Sequence, residues 1–296
     1  MTTINDLLFF LKYIFPILIL AFGLIGNTLG LIVLKKKDLS NIGPKNTYMY
    51  LFVTDSFYLL QIIVVIFQYG SSYNLQIISN LSCKMWNFFN YSLASVSSWL
   101  IVYISAERCV SLLKPAWRFT FRKKSIQLVW FIFVIVACLL YYIPVGIYYK
   151  GFPLTDNSTT PVICDFVDAD AIDLISYMDL VLRVLLPFFL MIISSLTLAY
   201  SLLKSRQRIV KNFLTEEEQT FKKEIKLAAS SIGLNLIYIV TQLPVSITIF
   251  GSQYYSSAVY IFTYYLFYAS YSVNFYIVLA TNSLFRAKFL SRFKKS

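Results

Sequence analysis

Charge is absent from this sequence over lengths that no soluble fold requires. Residues 13–34, 85–106, 125–149 and 184–203 carry none, 46–83 carry only Asp55, and 227–285 runs for 59 residues without an Asp, Glu, Lys or Arg. A helix needs roughly 20 apolar residues to cross a hydrocarbon layer of about 30 Å, and strands are far shorter than these runs. Dividing the longest run at its polar stretch GSQYYSS (251–257) gives seven spans. They lie near 11–34, 46–69, 85–112, 125–148, 174–203, 224–250 and 258–281. Composition agrees: 14% of residues are charged, against about 25% in a soluble domain. The first span reads as a spanning helix and not a cleaved leader, because it is too long and no basic stretch precedes it. The expected fold is an all-α membrane protein, a single seven-transmembrane helix bundle over 1–296.

The basic residues set the orientation. All of the 26 Lys and Arg except Lys12, Lys84, Lys150 and Arg183 lie at the inner end of span three (Arg108) or follow spans one, three, five and seven. The positive-inside rule therefore puts the N-terminus outside and the C-terminus in the cytoplasm. The net charge of +12 is then a matter of topology and inner-leaflet lipid, and it does not point to nucleic acid. Asp156, Asp165, Asp168, Asp170 and Asp173 gather between spans four and five, so the outer mouth is acidic.

Two of the four cysteines face the oxidising side, Cys83 at the outer start of span three and Cys164 in the long outer loop. A disulfide there would pin that loop across the bundle. Cys109 and Cys138 read as small packing residues, with palmitoylation an alternative for Cys109. The sequons at Asn157 and Asn80 face outside, and Asn157 is the favoured acceptor because Asn80 lies close to the membrane.

Buried polar residues carry the functional signal. Arg108 follows Cys83 by 25 residues, about 37 Å along a helix, which puts Glu107 and Arg108 at the cytoplasmic edge of span three. Glu224 falls at the same level on span six, so the two spans could be latched by an ion pair; the plainer alternative is two unrelated charges snorkelling to water. Asp55 stands alone in an apolar helix, and a charge there is costly and marks function. Asn27, Ser97 and Asn274 can share its depth, a cluster that could hold a small cation. Asp179 and Arg183 are four apart on the outer half of span five, either a self-satisfied pair or ligand contacts alongside Gln242 and Tyr268. Pro144, Pro187 and Pro244 each free a backbone carbonyl within a span.

Taken in order, these residues resemble the rhodopsin-like (class A) G-protein-coupled receptors over nearly the whole chain. The carrying stretches are GLIGN ending at Asn27, LFVTD ending at Asp55, Cys83, ERC at 107–109 with Pro115 after it, Trp130, Pro187 and Pro244. The resemblance implies that Arg108 is an activation switch held by Glu107 and Glu224, with Pro115 beside it, and released when span six swings outward to admit a heterotrimeric G protein. It implies the Cys83–Cys164 bridge and a sodium pocket at Asp55, Ser97 and Asn274, with sodium as an allosteric ligand and no other cofactor. It also implies a plasma-membrane location and a short cytoplasmic amphipathic helix at 283–293.

The chain departs from that pattern in several places. Thr241-Gln242-Leu243-Pro244 stands where Cys-Trp-x-Pro is common, and Asn274-Phe275-Tyr276-Ile277-Val278 replaces Asn-Pro-x-x-Tyr. Ser195 stands where a tyrosine often sits, and Cys109 and Ala116 are also unusual.

Asn90 occupies the place of the aspartate of amine receptors, and span seven has no lysine for a retinal Schiff base. The acidic loop and abundant aromatics favour a short basic peptide as ligand, and the general look resembles invertebrate neuropeptide-type receptors. A chemosensory or small-molecule receptor of the same fold is the main alternative. A channel or transporter is more remote, given an odd span number and no internal repeat. An enzyme is not expected: there is no histidine and no second mid-membrane aspartate facing Asp55.

Overall fold

Six helices of the computed structural model are long and apolar enough to cross a membrane. The structure describes residues 9–35, 45–70, 78–153, 161–212, 215–250 and 256–293. Helix α1 runs Phe10–Leu34, opening on a π-helical turn Phe10–Ile14 that ends where Pro16 starts the α-helix. Then come α2 (Lys45–Gly70), α3 (Asn80–Leu113) and, after the short helix Arg118–Arg122, α4 (Lys124–Tyr148). Helix α5 extends from Ala169 to Asn212, α6 spans Thr215–Phe250, and α7 spans Ser257–Thr281. Ser283–Phe293 forms α8. The seventh spanning helix, α7, is 25 residues long but is not among the six apolar ones. Tyr260, Tyr264, Tyr265, Tyr268, Tyr271 and Asn274 lower its hydropathy, and most of them face inward.

The elements start and stop for local reasons. Ser79 and Ser82 form a capping box at α3: each side-chain oxygen accepts from the other's backbone N–H, at 3.0 and 2.9 Å. Helix α4 breaks at Tyr142, with Pro144 in the first turn of the following Ile143–Tyr148 segment. Asp168 caps α5 by accepting from the Ala171 N–H at 2.7 Å. Asn282 Oδ1 accepts from Leu284 and Phe285 N–H, and so turns α7 into α8. Phe285 is fully buried beneath α8.

The outer loop is not helical or irregular throughout, as an all-α reading supposes. Tyr149–Pro153 and Pro161–Phe166 pair as an antiparallel hairpin, β1 and β2, with Gly151 opposite Cys164. The Cys83–Cys164 disulfide is present, and Asn80 Oδ1 accepts from the Gly151 N–H at 3.0 Å. Two contacts therefore fasten the hairpin to the first turn of α3.

Helix α3 is the axis of the bundle, touching α2, α4, α5 and α6, while α1 packs on α2 and α7. In the most apolar stretch of each helix, 67% of residues are buried in α3 but only 22% in α4 and α5, so α4 and α5 give most of their surface to lipid. Helix α1 approaches its neighbours through small residues. A Cβ at Gly26 would lie 2.8 Å from the Tyr276 ring, and one at Gly30 would lie 2.5 Å from Phe52.

Candidate functional site

Polar residues meet at three levels of the bundle. At the outer level a cavity of about 70 Å³ opens between α2, α3, α5, α6 and α7. Asn90, Asp179 and Arg183 line it, among the rings of Tyr58, Tyr91, Tyr264 and Phe267. Asn90 Oδ1 accepts from Tyr58 OH at 2.7 Å. Arg183 donates from Nε to Asp179 Oδ1 at 2.8 Å and from a terminal nitrogen to Oδ2, and its guanidinium lies 4.8 Å from the Phe267 ring centre. Tyr142 of α4 donates to the same carboxylate at 3.0 Å. The other guanidinium arm donates to Gln242 Oε1 of α6, and Gln242 Nε2 donates to Ser270 Oγ of α7 at 3.0 Å. One buried chain of polar contacts thus joins four helices.

The backbone explains why Arg183 is the junction. Pro187 has no N–H and frees the carbonyl of the residue four before it, Arg183. A π-helical stretch, Leu180–Leu185, accommodates the mismatch, and Tyr238 OH of α6 donates to the freed carbonyl. Arg183 is tied to α6 from both its side chain and its backbone.

The expected ligand set is only partly assembled. Asn90, Asp179 and Arg183 face the outer cavity, but Gln242 lies beneath it and Tyr268 does not line it. Tyr268 is buried against Tyr58, ring centres 5.3 Å apart. Tyr264, one turn further out, supplies the cavity wall and meets the Tyr268 hydroxyl at 3.3 Å.

At the middle level Asp55 is completely buried. Its Oδ1 accepts from Ser97 Oγ at 2.6 Å and its Oδ2 from Asn274 Nδ2 at 2.8 Å. Asn27 does not join them; it donates to the Tyr271 carbonyl at 3.2 Å and ties α1 to α7. A space of about 10 Å³ lies among Ser97, Tyr271, Asn274 and Gln242, room for about one water. One turn of α3 above Arg108 in the bundle interior is a contact that sequence reasoning missed. Asn235 of α6 accepts from Ser105 at 2.8 Å and donates to Ser195 at 2.9 Å, so a single amide clasps α3, α5 and α6.

At the cytoplasmic level Glu107 and Arg108 are both buried, with Arg108 Nε 3.1 Å from Glu107 Oε2. That approach is not directed as a hydrogen bond, so it acts by charge alone. Glu107 Oε1 is better served: Arg122 donates at 2.8 Å and Ser111 at 2.9 Å. Arg122 reaches it because Pro115–Trp117 and the short helix Arg118–Arg122 turn the chain back under α3. Gln127 fixes the same corner, accepting from Asn46 and Thr47 N–H and donating to the Phe121 carbonyl. Glu224 lies in α6, but its side chain is outside the described residues, as are the side chain of Pro115 and the whole of Asn157.

Compared with known protein families, residues 26–280 match the one described as 7 transmembrane receptor (rhodopsin family). The chain belongs to that family. No curated protein matches it. Membership makes the bundle a seven-transmembrane receptor of the class A kind, a multi-pass protein of the plasma membrane that signals through G proteins. The seven-helix reading, the disulfide and the family resemblance all stand with it.

Proposed function

We propose that this receptor binds a short basic peptide at its extracellular face and activates a heterotrimeric G protein by outward movement of α6. The N-terminus lies outside and α8 lies on the cytoplasmic leaflet. The carrying observation is the acidic outer face above a charged cavity floor. Asp165, Asp168, Asp170 and Asp173 are exposed on β2 and the start of α5, and α5 leads directly to Asp179 and Arg183. Such a field concentrates cationic ligands and disfavours anionic ones. The hairpin, held by the disulfide, packs through Tyr149 against Tyr91 of the cavity wall.

In this reading Arg108 is the G-protein contact, held at rest by Glu107, which Arg122 and Ser111 orient. Glu224 completes the latch from α6. A sodium ion in the middle pocket would be held by Asp55 and Ser97, whose oxygens suit a small hard cation, and it would favour the resting bundle. Asn157 carries the glycan, since the Asn80 side chain is engaged with Gly151.

The test is nucleotide exchange on co-expressed G proteins, driven by pools of short basic and amidated peptides, for wild type and Arg108→Ala at matched surface expression. A peptide response lost in the variant supports the reading. A response to neutral small molecules with none to any peptide pool would transfer the site to chemosensing.

A further inference from the structure

The Asp179–Arg183 pair faces the outer cavity and is also bonded to the helix that must move. Resting on the receptor reading above, we propose that this pair is the trigger. A single cationic head group of the ligand, guanidinium or ammonium, takes the place of Arg183 against Asp179, and the departing Arg183 side chain releases Gln242 and loosens α6, which then keeps only the Tyr238 bond to the Arg183 carbonyl.

Size comes first. Ordinary small-molecule sites occupy about 300–1,000 Å³, whereas this cavity holds about 70 Å³. It admits one small head group, with the rest of the ligand left above. The wall already has the chemistry for a cation. Arg183 itself lies over the Phe267 ring at 4.8 Å, and Tyr58, Tyr91 and Tyr264 present further aromatic surface. Tyr142 holds Asp179 in place from α4, so the carboxylate stays when its partner is exchanged.

Charge and side-chain reach select a cation over an anion. An anion taking Arg183 would leave Asp179 buried and unpaired, and its short side chain cannot reach water. A bare buried charge of that kind is strongly unfavourable. A cation taking Asp179 keeps the carboxylate paired, and the long Arg183 side chain can swing outward to carry its charge towards water. That swing breaks the Arg183–Gln242 bond, and Gln242 is left with Ser270 alone. The family's common tryptophan is absent at this position, so the α5–α6 tie is polar here and a polar ligand group can compete for it.

The experiment measures the distance between spin labels at Leu113→Cys on α3 and Ile225→Cys on α6, both exposed cytoplasmic positions. Cys109→Ser and Cys138→Ala remove the background thiols. No G protein is needed, so the readout is separate from coupling. In Gln242→Leu, which removes the bonds to Arg183 and Ser270, the long-distance population should rise at least about five-fold without ligand, the shift expected for about 1 kcal/mol of lost restraint. In the wild-type background, millimolar agmatine should produce the same widening, and glutarate none; Asp179→Asn should abolish the agmatine effect.

An unchanged distribution in Gln242→Leu overturns the lock. No widening with agmatine, or widening with glutarate instead, overturns the cationic trigger. Both results stand even if Asp179→Asn fails to fold. Widening without nucleotide exchange on any G protein would overturn the receptor reading while leaving the lock in place.

Discussion

The two buried charge clusters of this receptor are built differently. At the outer level, Asp179 and Arg183 of α5 reach α4 through Tyr142, α6 through Gln242 and Tyr238, and α7 through Ser270 by way of Gln242. At the cytoplasmic level, the described partners of Glu107 are Arg108, Ser111 and Arg122, all from α3 or the short helix that follows it. The first cluster ties helices together; among the described residues, Glu107 is held by a local brace. Helix α6 is therefore restrained where ligand arrives, while the G-protein end presents a prepared arginine. Outward motion of α6 must break the first cluster; at the second it parts only the proposed Glu224 contact and leaves the Glu107 brace with Ser111 and Arg122 in place.

Several substitutions would break or sharpen this contrast. The largest effect is expected for Asp179→Leu, which leaves Arg183 buried without its carboxylate and should cost about 3–5 kcal/mol. Thermal unfolding in detergent and surface expression report it. The paired change Asp179→Leu with Arg183→Met should recover most of that stability but not the ligand response, because a buried ion pair replaced as a whole is close to neutral. If the double variant is as unstable as the single one, the cluster is not acting as a pair.

Next is Cys164→Ser. Loss of a disulfide closing a long loop should lower stability by about 2–4 kcal/mol, measured as a lower Tm in detergent, and should weaken ligand potency because the hairpin is no longer fixed against Tyr91 of the cavity wall. A receptor with unchanged Tm would contradict the fastening described here.

Asn235→Leu removes the bonds to Ser105 of α3 and to Ser195 and the Met191 carbonyl of α5 at once. Basal nucleotide exchange should rise several-fold, as about 1 kcal/mol of restraint is lost. The smallest effect on signalling is expected at the corner beside the brace. Gln127→Leu removes the acceptor for two N–H groups at the start of α2 and should cost about 1–2 kcal/mol, with little change in basal exchange.

Much of this was legible in the sequence because lipid imposes a simple code. Uncharged runs near 20 residues, a basic bias on alternate loops and lone charges inside apolar spans need no tertiary information. The Asp55–Ser97–Asn274 meeting and the Asp179–Arg183 pair follow from depth and from i, i+4 spacing.

What was missed depends on how helices are rotated against one another. Tyr268 shares a face with Tyr264, but the cavity ends at Tyr264, and only the packed structure fixes that depth. Asn235 looks like any polar residue in an apolar helix until Ser105 and Ser195 are turned towards it. Arg122 reads as one of several basic loop residues, since its approach to Glu107 requires the chain to fold back after Pro115. The β1–β2 hairpin was hidden because YKGFP and PVICDF carry prolines and a glycine that mask strand character.

The order in which the two clusters act is the central claim, and combining one substitution from each tests it most directly. Basal nucleotide exchange should be measured for wild type, Gln242→Leu, Arg108→Ala and the double variant, at matched surface expression. Gln242→Leu should raise exchange by freeing α6, and adding Arg108→Ala should abolish the increase, because the opened bundle then has no arginine on α3 to present. If the double variant keeps the raised exchange, Arg108 is not the point at which the outer tie delivers its signal.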